Sequence, residues 1–117
     1  MSLLATLVGG AILAVIGYFV IKLTFKWVMN KLDNYFTNKD IDGAVLADID
    51  ALAANCTNKK SYELLKKARE KGYTQVMGKT SGGKMTGDIE LIKDESSTPD
   101  QEVRDLLGSE RMVVIER

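Results

Sequence analysis

The sequence predicts an α+β protein with a single N-terminal transmembrane helix. That helix continues into an amphipathic one, and a small domain of helices and a three-stranded sheet follows. Three observations carry the expectation: an uncharged run at the front, a helical apolar spacing behind it, and shorter strand-like runs later. Leu3 to Ile21, LLATLVGGAILAVIGYFVI, holds nineteen residues without a charge. Wound as a helix the run spans ~28 Å, close to the roughly 30 Å hydrocarbon core of a bilayer, and a helix satisfies its own backbone groups there. A protein core would have to surround a helix apolar on every side, and the remaining residues are too few for that. A cleaved signal peptide is disfavoured, because no basic residue precedes the run while Lys22 and Lys26 follow it.

Those lysines, with Lys31, set an orientation. Positive charge stays inside, which places the N-terminus outside and residues 37–117 in the cytoplasm. Tyr18 and Trp27 suit interfacial anchors. Gly9, Gly10, Ala14 and Gly17 are small residues spaced so that two helix backbones can approach closely, which makes them the candidate helix–helix contacts. Phe25, Val28, Met29, Leu32, Tyr35 and Phe36 then recur at steps of three and four, extending the rod to residue 36.

Beyond it, Ile41, Val45, Ile49 and Leu52 form a stripe that predicts a helix over 41–54. Ser61 reads as the N-cap of a second helix, Tyr62 to Lys71, with Gly72 as its left-handed C′ residue. Thr74–Lys79 and Asp88–Lys93 read as the two strands of a hairpin. Thr98 and Pro99 start a short helix to Leu107, closed by Gly108, and MVVIE at 112–116 reads as a last strand.

Composition excludes several chemistries. Sixteen Lys+Arg balance sixteen Asp+Glu, so no net field steers the chain to nucleic acid. Histidine is absent, which removes the usual general base and zinc ligand. Cys56 is the one cysteine, leaving no intramolecular disulfide and no paired-cysteine metal site. Asn55-Cys56-Thr57 fits a glycosylation acceptor that a cytoplasmic placement makes inert. The balanced total hides segregation: residues 57–84 carry eight basic against two acidic side chains, and residues 85–117 four against nine. Lys59, Lys60, Lys66, Lys67, Arg69, Lys71, Lys79 and Lys84 are the candidate contacts to a partner protein or to lipid headgroups.

Two stretches imitate ligand-binding motifs. Gly78 to Thr86, GKTSGGKMT, has most of a phosphate-binding loop, but Met85 stands where the Mg²⁺-binding hydroxyl belongs and no helix follows. A hairpin tip is the better reading, one whose Lys79 and Lys84 can still touch an anionic surface. Asn38, Asp40, Asp42 and Gly43 imitate the first half of a calcium loop, but Ile49 replaces the closing glutamate. The expected function is therefore a single-pass, membrane-anchored, non-catalytic interaction module: an accessory or regulatory subunit of a membrane complex, without cofactor or metal. Its expected partners are the membrane, other membrane subunits and a second copy of itself, and not nucleic acid. The rivals are a pilin-like filament or pore subunit and a phosphate- or nucleotide-binding domain.

Overall fold

The computed structural model describes residues 12–96 and 98–117. In chain order these form β1 (Ala14–Ile21), α1 (Phe25–Tyr35), β2 (Gly43–Asp48), α2 (Ile49–Asn55), α3 (Lys59–Glu70), β3 (Gln75–Ser81), β4 (Lys84–Asp94), α4 (Gln101–Leu107) and β5 (Met112–Glu116). The strands make one mixed sheet in the order β1-β4-β3-β2-β5. β1 runs parallel to β4, and the other neighbours are antiparallel. On one face α2 and α3 pack Leu52, Leu65 and Ala68 against Val45, Val76, Ile89 and Leu91. On the other, α1 and α4 pack Val28, Leu32, Val103 and Leu107 against Leu46, Met77 and Ile92. The class is α+β, built as a sheet between two helical layers.

The largest correction concerns the N-terminal run. Among the described residues no helix is long and apolar enough to cross a membrane. Residues 14–21, expected inside a spanning helix, are an edge strand, and the continuous rod to residue 36 does not exist. The single-pass membrane placement and the orientation drawn from the lysines fall with the helix. The reason is in the side chains. Val15, Ile16, Tyr18, Phe19, Val20 and Ile21 are β-branched or aromatic, types that suit a pleated surface. Every position is apolar, so the two-residue alternation that marks a strand is invisible, as in parallel strands generally. The argument that too few residues remain to bury the run holds for a helix. A strand needs only a neighbour and partial cover, and here the cover is partial: Ile16, Tyr18 and Val20 remain 51%, 62% and 57% exposed.

Other corrections follow from tertiary context. The sheet has five strands, not three. The 41–54 stripe splits into the interior strand β2 and the short helix α2. β2 is buried on both faces and hydrogen-bonded on both edges, so its fully apolar pattern imitated helical spacing. A Cβ at Gly43 would meet the backbone oxygen of Ile115 at 2.7 Å and Thr80 Oγ1 at 2.8 Å, so this glycine permits close strand approach. α3 is capped by Asn58, whose side chain accepts from Ser61 N at 2.9 Å. Ser61, expected as that cap, is buried, and its hydroxyl accepts the Ile12 amide at 2.7 Å, tying the approach of β1 to α3.

The amphipathic helix over 25–35, the β3–β4 hairpin, the positive-φ Gly72 after α3, the helix ending at Leu107 and the strand at 112–116 are all present. A substitution pair checks the strand assignment. Val20→Lys on the exposed side of β1 should change unfolding free energy by no more than ~0.5 kcal/mol, whereas Ile92→Ala in the core should cost about 2–5 kcal/mol in urea unfolding.

Candidate functional site

Where α3 stops short of the sheet edge, a groove of about 340 Å³ opens. Its floor is Val15, Tyr18 and Leu91, and its wall is Leu64 and Ala68. Lys60, Glu63, Lys67 and Lys71 line it from α3, three ammonium groups to one carboxylate, at spacings of three and four residues and hence on one side of the helix. The Tyr18 and Tyr73 rings meet at 5.7 Å, tilted by 55°, and Lys93 Nζ lies 4.9 Å from the Tyr73 ring centre. The result is an apolar trough, bordered by three ammonium groups and one carboxylate, beside the β1 strand whose Ile16, Tyr18 and Val20 are exposed.

The structure gathers only part of the predicted set here. Lys60, Lys67 and Lys71 line the groove. Lys59 and Lys66 are exposed elsewhere on α3, with Lys66 Nζ 5.9 Å from the Tyr62 ring centre. Arg69 turns away to Asp50, with Nε 3.3 Å from Oδ1. Lys79 lies on the opposite sheet face, its Nζ 5.1 Å from the Tyr35 ring centre. Lys84 is exposed at the hairpin tip. Gly9 and Gly10 lie outside the described residues. Ala14 and Gly17 pair with Asp88 and Glu90, so they sit on one face of a strand and not on a helix stripe. A Cβ at Gly17 would press on the Phe19 ring at 3.0 Å, so this glycine makes room for its own sheet neighbour.

Both near-motifs resolve into hairpin and turn chemistry. Gly82 and Gly83 have φ of 61° and 78°, the pair of positive values that a tight two-residue hairpin demands. Asp42 braces this tip: its carboxylate accepts from Thr80 Oγ1 at 2.7 Å and from Gly83 N at 3.3 Å. The Thr80 hydrogen bond holds the Asp42 carboxyl below the usual aspartate value. Asn38 Oδ1 accepts the Asp40 amide at 2.9 Å. The side-chain oxygen of Asn38 and both carboxylate oxygens of Asp42 are thus engaged by backbone and hydroxyl donors.

Sequence reasoning missed a buried cluster beneath α1. Lys31 Nζ lies 2.6 Å from Glu90 Oε2, with the two side chains 18% and 7% exposed. The Phe19 and Tyr35 ring centres stand 4.9 and 5.2 Å from the same ammonium, and Phe19 meets Trp27 edge-on at 5.4 Å. Lys31 is the ion-pair partner of Glu90 among the described residues, and the Tyr35 hydroxyl interacts with the same carboxylate. The signal available was Lys31 itself, lying on the apolar side of its helix between Val28, Leu32 and Tyr35; its partner, fifty-nine residues later, was not legible.

Burial, with the Glu90 charge added, pushes the Tyr35 hydroxyl well above its ordinary value. The folded state therefore favours neutral Tyr35. The stability this contributes is present below the unfolded value of 10.0 and is lost as pH rises past it. In an ultraviolet pH titration one of the four tyrosines should stay unionised until the chain unfolds. Lys31→Met strands a buried carboxylate and should cost about 3–5 kcal/mol, while the double variant Lys31→Met/Glu90→Leu should recover much of it. No protein-family profile, no curated protein and no solved structure matches this chain.

Proposed function

We propose that this chain is a non-catalytic interaction module that takes an extended segment of a partner protein as a sixth strand on the edge of β1 that no other strand pairs among the described residues. One observation carries the reading: an eight-residue edge strand with no charge and three large side chains more than half exposed. Natural sheets protect their edges with lysine, proline or bulges aimed outward, because unpaired amides and carbonyls template further pairing. The opposite edge is protected in this way. β5 is flanked by Arg111 and Arg117 and carries Glu116, and the Arg117 side chain is held on the carbonyls of Asn38 and Ile41 at 3.1 and 3.2 Å. Within Ala14–Ile21 β1 carries no lysine, arginine or proline; its extra residue at Ile16 interrupts the strand between Val15 and Gly17, and Lys22 follows it, so the stretch from Gly17 to Ile21 is the regular edge left unpaired among the described residues.

The partner's chemistry follows from the groove. Main-chain pairing supplies affinity and alternate side chains supply specificity. Residues on the α3 side of the added strand would meet Ile16, Tyr18 and Val20, then the lysines of the helix. A segment alternating β-branched with acidic residues satisfies both surfaces.

The test titrates a labelled sample of the chain with a synthetic heptapeptide alternating valine and glutamate, followed by amide resonances. Shifts confined to β1 and the groove side of α3, weakened by salt and lost in Tyr18→Lys, would support the reading. Equal shifts in Tyr18→Lys would sink it. So would a dimer in light scattering that Tyr18→Lys dissolves, since that gives the edge to a second copy.

A further inference from the structure

A second cavity, about 430 Å³, opens at the carboxyl end of β2, across the sheet from the β1 edge. Small-molecule sites fall in this size range. Three arginines line it, one each from α3, α4 and the turn before β5: Arg69, Arg104 and Arg111. They face two carboxylates, Asp48 and Asp50, so the lining carries one surplus positive charge. The guanidinium supply is divided unevenly. Arg69 is paired with Asp50, and Arg111 Nη1 lies 3.7 Å from Asp48 Oδ2. Arg104 makes no ion pair among the described residues.

Two further features distinguish this cavity from a chance cluster of surface charge. Arg111 holds φ at 58°, the one positive value outside glycine among the described residues. That conformation costs about 1–2 kcal/mol for an L-residue and persists only where the surroundings impose it. They do: the Arg111 carbonyl accepts the Asp48 amide at 2.9 Å, and its amide donates to Gly108 at 3.2 Å. The strain fixes Arg111 at the cavity rim. Asp48, in turn, has a second partner. Gln75, 4% exposed, donates from Nε2 to Asp48 Oδ1 at 3.2 Å while its own oxygen accepts the Thr74 hydroxyl. Arg111 can therefore leave Asp48 without stranding it.

We propose that this cavity binds a small organic oxyanion, a carboxylate or a phosphate ester, gripped by the fork of Arg104 and joined by Arg111 released from Asp48. A guanidinium presents paired donors that match either group, which a lysine does not. The site is independent of the β1 edge and stands whether or not that edge binds a partner.

The experiment uses the full chain, isotope-labelled, with phenyl phosphate and benzoate as probes at constant ionic strength set by chloride. Saturable shifts of the Thr74, Gly108 and Arg111 amides with either probe are expected, and the stronger probe identifies the headgroup. Arg104 is exposed on its helix, so Arg104→Ala should fold normally and weaken binding at least about tenfold, the loss of one charged hydrogen-bonded contact. Arg104→Lys should recover little of that loss. Non-saturable shifts, shifts that chloride reproduces, or equal affinity in Arg104→Ala would each overturn the assignment.

Discussion

The parallel pairing of β1 with β4 is the constraint on which the rest of this structure depends. It gives an apolar run that a helix would have to bury completely a place where one edge and half a face suffice. It aligns Gly17 with Glu90 and Phe19 with Ile92, which sets Phe19 beside the lysine that Glu90 holds. Through that lysine α1 is fixed to the sheet. On the other face it aligns Tyr18 with Leu91 and so lays the groove floor in front of α3.

The two faces of β4 show how one strand can serve stability and recognition together. Glu90 points into a nearly dry pocket where its charge needs both an ion pair and surrounding rings, an arrangement that fixes position more than it adds net stability. Leu91, its neighbour, turns the other way beneath the lysines that border the trough. A side chain of either kind on the wrong side would leave a charge bare or fill the groove, so a one-residue slip of register is strongly disfavoured.

What was legible in the sequence was local. The helix over 25–35 shows its Val28, Leu32 and Tyr35 spacing openly, and Gly82-Gly83 between two strand-like runs names its own turn. Gly72, Gly108 and the terminal MVVIE were equally plain. What failed was topology. β1 and the buried part of β2 are apolar on both faces; length and absence of charge then favoured a helix for the first, and for the second the four-residue spacing of Ile41, Val45 and Ile49 imitated one. Deciding otherwise needed the partner strands, which lie far along the chain. The site divided the same way: the basic residues from Lys59 to Lys71 were legible as one group on a helix, but which of them share a groove required Tyr18 and Leu91. Arg69, beside them in sequence, belongs to a different cavity because Asp50 sits across from it.

Ala14 and its β4 partner Asp88 are separated by most of the chain, and this has a consequence for biosynthesis. A ribosome adding roughly 5–20 residues per second would leave the greasy N-terminal strand without its mate for on the order of ten seconds. Contacts of such long range also form late in refolding, because the loop they close must first be ordered. Of the sheet's described strands, the one that organises the finished sheet is thus made first and docked among the last, and in the interval its apolar side chains have no partner strand to cover them.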